Sequence, residues 1–316
     1  MLKKMLLGRT DFEVTEICFG GWGIGSFHYG DVSEKDGLAC IETYLQYGGN
    51  FIDTARLYNN SEKIIGHVLQ KHGNRERVFV ASKSPEVDSA KLRGHLEESL
   101  RMLQSDYIDI YYMHAPPDDP DEMYYLLEVF EQFKKEGKIR AIGASIKGCD
   151  VTQRTVDLCR QYIRSNRVDV IQVIYSIFRQ KIAEVFKEAQ EHGVAIVGRT
   201  VLENGFLTGK YVPGDIFKGN DHRQRWESKR LKNILAFAQE LKSFAIQPPF
   251  QTLAEVALRF ALDTPGITCA ITGAKNSQQT RENLNVASLP ALPEGLKTRF
   301  VSLFSNKSEE FNRAPR

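Results

Sequence analysis

Asn50-Phe51-Ile52-Asp53-Thr54-Ala55, with Tyr58 three residues on, is the stretch on which the reading of this chain turns. A pair of apolar residues leaves the Gly48-Gly49 turn and runs straight into a carboxylate. The pattern recurs: Val78-Phe79-Val80-Ala81-Ser82 runs into Lys83, and Ile108-Asp109-Ile110-Tyr111-Tyr112-Met113 runs into His114. Length, β-branching and flanking turn residues make each run a buried parallel strand. Polar groups therefore collect at strand C-termini, which in a (β/α)8 barrel converge on the mouth where catalytic residues sit.

The four groups form a chemical set. A tyrosine is a poor proton donor at neutral pH unless a nearby cation stabilises its phenolate, and Lys83 is the candidate cation for Tyr58. A buried lysine tends to lose its proton, so a carboxylate is needed beside it, and Asp53 is available. His114 can orient a carbonyl oxygen or relay a proton. Such a set suits carbonyl reduction, with a proton delivered to oxygen as hydride arrives at carbon. Taken singly, each residue has an ordinary explanation as a solvated lysine, a packed tyrosine, a histidine on a backbone carbonyl or a turn-capping Asp53-Thr54.

The rest of the chain alternates in the same way. Strand candidates are Ile17 to Phe19, Phe51-Ile52, Val78 to Ala81, Ile108 to Met113, Ile139 to Gly143, Val170 to Ile174, Ala195 to Val197 and Ile267 to Ile271. Eight strands separated by amphipathic segments imply βαβ units and a parallel sheet. Leu38, Ile41 and Leu45 line one helix, with Ser33 as its N-cap and Gly48-Gly49 as its end. Leu92, Leu96, Leu100 and Leu103 line a second, and Ile182, Val185, Phe186 and Ala189 a third closed by His192-Gly193. The predicted architecture is an α/β protein, a (β/α)8 TIM barrel with an N-terminal β-hairpin around Gly8-Arg9-Thr10-Asp11 and extra helices. Such barrels run past 250 residues as one domain, so residues 1–316 read as a single domain.

At these residues the chain resembles the aldo-keto reductase superfamily, nearly end to end. Gly48 to Ala55 followed by Tyr58 and Ser61-Glu62 is similar to that family's signature segment, and Gly137-Lys138-Ile139-Arg140-Ala141-Ile142-Gly143 to a second. Asn204 to Tyr211 and Ile271 to Asn283 are similar to two cofactor segments. The resemblance implies an NADPH-dependent reductase in which Tyr58 is the acid, with Asp53, Lys83 and His114 around it. It implies a nicotinamide carboxamide held by Ser145 and Gln172, although the family's asparagine is Ile146 here. Arg199 stands where a tyrosine usually stacks, as in some branches of the family. Leu202, Gly205 and Lys210 fall in the loop after the seventh strand. Gly273, Lys275, Gln279, Glu282 and Asn283 fall in the segment implied for the adenosine 2'-phosphate and adenine, which points to NADPH/NADP+ rather than NADH.

Gly20-Gly21-Trp22-Gly23-Ile24-Gly25 has the wrong spacing for a dinucleotide fingerprint. It reads as a flexible loop over the mouth, with Trp22 either a substrate contact or a surface residue on a tight turn. A long stretch, Thr200 to Leu262, holds two helices, about Ser228 to Ser243 and Thr252 to Leu262. Its polar first half carries Lys218, His222, Arg223 and Arg225, which suit a fold over the cofactor pyrophosphate. Trp22, Phe27, His28, Tyr29 and Trp226 offer aromatic surface, so sugar-like and aromatic carbonyls both fit.

Composition narrows the alternatives. With 42 basic against 40 acidic side chains and a net charge of +2, nothing points to nucleic acid. Cys18, Cys40, Cys149, Cys159 and Cys269 are scattered without metal-ligand spacing, so no metal is expected and reduced thiols in the cytoplasm are. No stretch reaches the roughly 20 apolar residues that cross a bilayer, and the three-residue apolar run near Met1 is short for a signal peptide. Two rivals share the fold: a redox-neutral isomerase or cyclase that uses bound NADP, and a non-catalytic accessory or sensor subunit.

Overall fold

The computed structural model describes residues 2–25, 32–147, 151–219 and 221–311, so Phe27, His28, Tyr29 and Cys149 lie outside the described residues, as does the side chain of Arg225. The chain opens with an antiparallel pair, β1 (Lys4–Leu6) and β2 (Glu13–Thr15). Eight parallel strands follow: β3 (Ile17–Gly20), β4 (Phe51–Asp53), β5 (Phe79–Ser84), β6 (Ile108–His114), β7 (Ile139–Ser145), β8 (Val170–Ile174), β9 (Ala195–Arg199) and β10 (Ile267–Gly273). They pair in sequence order and β10 closes on β3, so the sheet has no edge.

Helices α1 (Glu34–Gln46), α2 (Ser61–His72), α3 (Ser89–Leu103), α4 (Pro120–Lys135), α5 (Gln153–Arg164) and α6 (Phe186–Glu191) cross between successive strands from β3 to β9. After β9 come α7 (Ser228–Ala245) and α8 (Leu253–Leu262), and after β10 come α9 (Ser277–Asn285) and α10 (Glu294–Phe311). Ser33 caps α1 by accepting from the Asp36 amide, and Thr252 with Glu255 forms a reciprocal cap on α8. The segment over Ile182 to Ala189 differs from the predicted single helix. Its first half, Lys181–Val185, winds as a tighter 3-10 turn before α6 begins.

Inside the barrel, Cys18, Phe51, Ala81, Ile110, Tyr112, Ala141, Val170, Ala195, Val197 and Cys269 pack in one cluster with Leu7, Phe12 and Val14 of the hairpin. The hairpin thus plugs the N-terminal end, leaving the opposite mouth as the open one. Asn50 fastens the plug: it accepts from the Thr15 amide at 2.7 Å and donates to the Glu13 carbonyl at 2.8 Å.

Strand ends fall further along than the sequence predicts. Asp53, Lys83 and His114 lie within β4, β5 and β6 rather than after them, because each backbone continues in register with its neighbour. A strand fixes side-chain direction more tightly than a loop, which favours a defined geometry. Gly21–Gly23 is not a loose loop over the mouth but a 3-10 turn packed against the barrel. A Cβ at Gly21 would lie 2.3 Å from the Ser61 hydroxyl, and one at Gly25 would lie 2.0 Å from the Tyr58 carbonyl.

Candidate active site

β4, β5 and β6 are neighbours in the barrel, so their polar ends meet at one place. Lys83 is fully buried and its Nζ donates to Asp53 Oδ1 at 2.6 Å and to the Thr54 carbonyl at 2.6 Å. Burial works against the ammonium, but the charges of Asp53 and Tyr58 and the hydrogen bond to Asp53 together outweigh it and hold the Lys83 pKa above the usual lysine value. Tyr58 stands over this pair, with Lys83 Nζ 5.0 Å from its ring centroid. The Tyr58 and His114 rings meet edge to face at 6.2 Å.

Burial pushes the His114 pKa down to about 3, with the positive charges of Lys83, Arg199 and Lys147 adding to the effect. His114 is therefore a neutral imidazole across the physiological range. Its Nδ1 is buried without a hydrogen-bond partner among the described residues. Trp22 forms the next wall: its ring meets Tyr58 edge to face at 4.8 Å and His222 at 6.3 Å.

The residues assigned to a nicotinamide lie beside this cluster. Ser145 and Gln172 are register partners on β7 and β8, and the Ser145 hydroxyl donates to Gln172 Oε1 at 3.2 Å. Gln172 Nε2 reaches on to Asp53 Oδ2 at 2.8 Å. Arg199 ends β9 and donates to the Ile146 carbonyl at 3.0 Å. Ile146 is buried, so the side chain that replaces an amide contributes packing and no hydrogen bond. A hydroxyl, an amide and a planar guanidinium next to a buried, partnerless ring nitrogen match the needs of a nicotinamide carboxamide and ring.

The two outer segments are arranged differently. After β9, Leu202 is half-buried, Gly205 takes φ +90° and Lys210 is exposed above the Tyr211 ring. After β10, Gly273 pairs with Gly20, Lys275 is half-buried and Asn276 caps α9. Burial, then the charge of Arg223, lowers the Lys275 pKa. Gln279 accepts from the Lys275 amide at 3.0 Å, Glu282 accepts from Gln278 at 2.8 Å, and Asn283 donates to the Gly273 carbonyl at 3.1 Å. Lys275 stands at a helix N-terminus, where backbone N–H groups favour an anion.

Trp226 differs from the sequence reading, and Arg223 has partners that reading did not include. Arg223 is buried, pairs with Asp221 at 2.5 Å and donates to the Tyr211 hydroxyl at 2.8 Å, so it holds its own segment together. Trp226 is 6% exposed and packs edge to face on Phe206, so it offers no surface to a substrate. Three features of the candidate site had no sequence signal: the Gln172–Asp53 bond, the charge of Lys147 acting on His114, and His222 beside Trp22. Each joins residues from distant elements, and only closure of the barrel brings them together.

The model of the aldo/keto reductase family matches residues 16–297. The chain belongs to that family. It is accordingly an NAD(P)H-dependent oxidoreductase of carbonyl and alcohol groups. It is 30% identical over 292 residues to aldo-keto reductase YhdN of Bacillus subtilis (strain 168), covering 86% of this chain and 85% of that one. It is 31% identical over 316 residues to an NADH-specific methylglyoxal reductase of Escherichia coli (strain K12), covering 90% and 93%. Among solved structures, the holo form of aldo-keto reductase AKR11C1 from Bacillus halodurans superposes with TM-score 0.77 at 26% identity, covering 96% of each chain. No helix among the described residues is long and apolar enough to cross a membrane.

Proposed function

We propose that this aldo/keto reductase reduces a small aldehyde or ketone, sugar-like or aromatic, to the alcohol with NADPH, as a single-domain cytoplasmic enzyme without nucleic-acid or membrane partners. The observation that carries this reading is the buried Lys83–Asp53 pair beneath Tyr58. A nicotinamide held by these residues would supply the hydride for the carbonyl carbon. Tyr58 gives its hydroxyl proton to the carbonyl oxygen, and Lys83 stabilises the phenolate left behind. Asp53 keeps Lys83 charged and fixes its direction. His114, neutral at working pH, donates a hydrogen bond that positions the oxygen and leaves proton delivery to Tyr58.

Ser145 and Gln172 would hold the carboxamide and Arg199 would stack on the ring, Leu202, Gly205 and Lys210 would take the pyrophosphate, and Gly273, Lys275, Gln279, Glu282 and Asn283 the adenosine end. Lys275 at the start of α9 is what favours a 2'-phosphate, hence NADPH over NADH. Trp22 beside Tyr58 supplies an aromatic wall for the substrate.

The test is loss of nicotinamide absorbance against a panel of aldehydes, ketones and sugar carbonyls, with Tyr58→Phe run in parallel. Turnover that disappears in the variant while NADPH affinity stays supports the reading. Parent-like kcat in Tyr58→Phe refutes the acid role. Tight NADPH binding with no oxidation of any substrate favours the redox-neutral or accessory alternatives.

A further inference from the structure

A second buried ion pair lies outside the tetrad. Arg179 and Glu203 have side chains 3% and 2% exposed, and Arg179 donates to Glu203 Oε2 at 2.6 Å. The Ser176 hydroxyl donates to Glu203 Oε1 at 2.5 Å, so both carboxylate oxygens are engaged. Burying two charges removes their hydration, and a well-packed apolar pair commonly gives equal or better stability. A demand for stability is therefore a poor explanation of this pair.

Its position supplies a better one. Glu203 sits in the loop after β9, where Thr200, Glu203, Asn204 and Gly205 take φ of +60°, +48°, +57° and +90°. Three of these four carry side chains, which disfavour the left-handed region, and such a run persists only where surrounding contacts over-determine it. Ser176 and Arg179 belong to the turn after β8, closed by its own backbone bridge. The pair thus ties the loop after β9 to the turn after β8, the strand that carries Gln172. Arg223 also donates to the Asn204 carbonyl at 3.3 Å. The strained backbone is held by two separate segments of chain.

We propose that Arg179 and Glu203 are positioning residues for the cofactor: the pair holds Leu202 to Gly205 in the strained conformation that receives the dinucleotide pyrophosphate. This rests on the assignment of Leu202 and Gly205 to the cofactor made above. Removal of the pair weakens cofactor binding through the loop and leaves the distance between Tyr58, Lys83 and the substrate unaltered.

The experiment uses the full chain and NADPH as probe, with Glu203→Gln, which keeps size and removes charge, and Ser176→Ala, which keeps the pair and removes one of its anchors. Three quantities are read: the Kd for NADPH by nicotinamide fluorescence, kcat at saturating NADPH, and amide hydrogen exchange over residues 200–209. In Glu203→Gln the Kd rises about tenfold, as loss of a charge-assisted contact predicts. Exchange over the loop accelerates, and the loss falls on Kd and KM for NADPH rather than on kcat. Ser176→Ala moves Kd and exchange in the same direction by less, and it carries the test where Glu203→Gln does not fold. Unchanged Kd with a lower melting temperature makes the pair purely structural and overturns the proposal. A fall in kcat at unchanged Kd overturns it as well. Failure of the parent chain to bind NADPH instead overturns the proposed function, which separates the two readings.

Discussion

Gln172 Nε2 donates to Asp53 Oδ2 at 2.8 Å across the mouth of the barrel. β4 and β8 stand four places apart in a ring of eight, so this bond joins opposite walls. It links the residue assigned to the cofactor carboxamide with the carboxylate that holds Lys83. Gln172→Met keeps the side-chain length and removes the donor. We predict a fall in both NADPH affinity and kcat, with loss of this bond to a charged group costing roughly 1.5–3 kcal/mol. Ser145→Ala, whose hydroxyl meets Gln172 and not Asp53, should lower affinity alone. Equal kcat in the two variants, measured at saturating NADPH, would show that the link to Asp53 has no mechanistic effect.

The Lys83–Asp53 pair predicts a stability pattern separable from activity. Lys83→Met leaves Asp53 as an uncompensated buried charge and should cost about 3–5 kcal/mol. Asp53→Asn combined with Lys83→Met removes both charges and should recover much of that stability. The double variant should stay inactive, because nothing then stabilises a Tyr58 phenolate. Denaturant unfolding and turnover, run on parent, single and double variants, check both halves. A double variant no more stable than Lys83→Met would mean that the pair is not the source of the loss.

His114 gives a pH prediction with a defined sign. Its folded-state pKa is depressed to about 3, while an unfolded histidine titrates near 6.5. Between those values the unfolded chain binds more protons, so the contribution of His114 is fully present above about 6.5 and is lost as pH falls toward 3. The amount at stake is on the order of a few kcal/mol. His114→Asn stays neutral and should lose less stability between pH 6.5 and pH 4 than the parent does. Parallel losses in urea midpoints over that interval would refute the assignment.

Gly25 lies directly against the Tyr58 backbone. A Cβ there would meet the Tyr58 carbonyl at 2.0 Å, and neither backbone has a flexible group that can yield. Gly25→Ala should therefore displace Tyr58, lowering kcat by roughly a hundredfold, the scale of an ångström-sized misplacement. NADPH affinity should change little. Parent-like kcat would show that the Trp22 turn can shift without moving Tyr58.

The sequence made the barrel legible because each strand is a short apolar run set off by turn residues and alternating with amphipathic segments. Asp53, Lys83 and His114 were readable from their places: an ionisable residue at the end of a buried strand must face a site or a partner. The packing of Gly21 and Gly25 was not readable, because a glycine run looks the same whether it is loose or pressed against Ser61 and Tyr58. Trp226 was misplaced for a related reason. Its aromaticity suggested a surface for substrate, while Phe206 draws it inward, and the bonds that bury Arg223 among Asp221 and Tyr211 had no sequence signal. The ion pair of Arg179 with Glu203 and the bond of Gln172 to Asp53 depend on tertiary closure, which local pattern does not encode.

The charge of Arg199 acts on the His114 imidazole and should act on the proposed nicotinamide site as well. It places a permanent cation where the nicotinamide is assigned, held by the Ile146 carbonyl at 3.0 Å. A cationic oxidised ring is repelled and a neutral reduced ring is not, so the parent should bind NADPH more tightly than NADP+. Arg199→Gln keeps a donor for the Ile146 carbonyl and removes the charge. The ratio of the two dissociation constants should then move toward unity by roughly tenfold, about 1.4 kcal/mol. The same substitution removes one of the positive charges that depress His114, so its pKa should rise from about 3 and the acid loss of stability should begin to shrink. The two effects share one cause and are read by independent methods, ligand titration and pH-dependent unfolding. A changed Kd ratio with an unmoved His114 would confine the charge of Arg199 to the cofactor side, and an unchanged Kd ratio would remove its electrostatic role there.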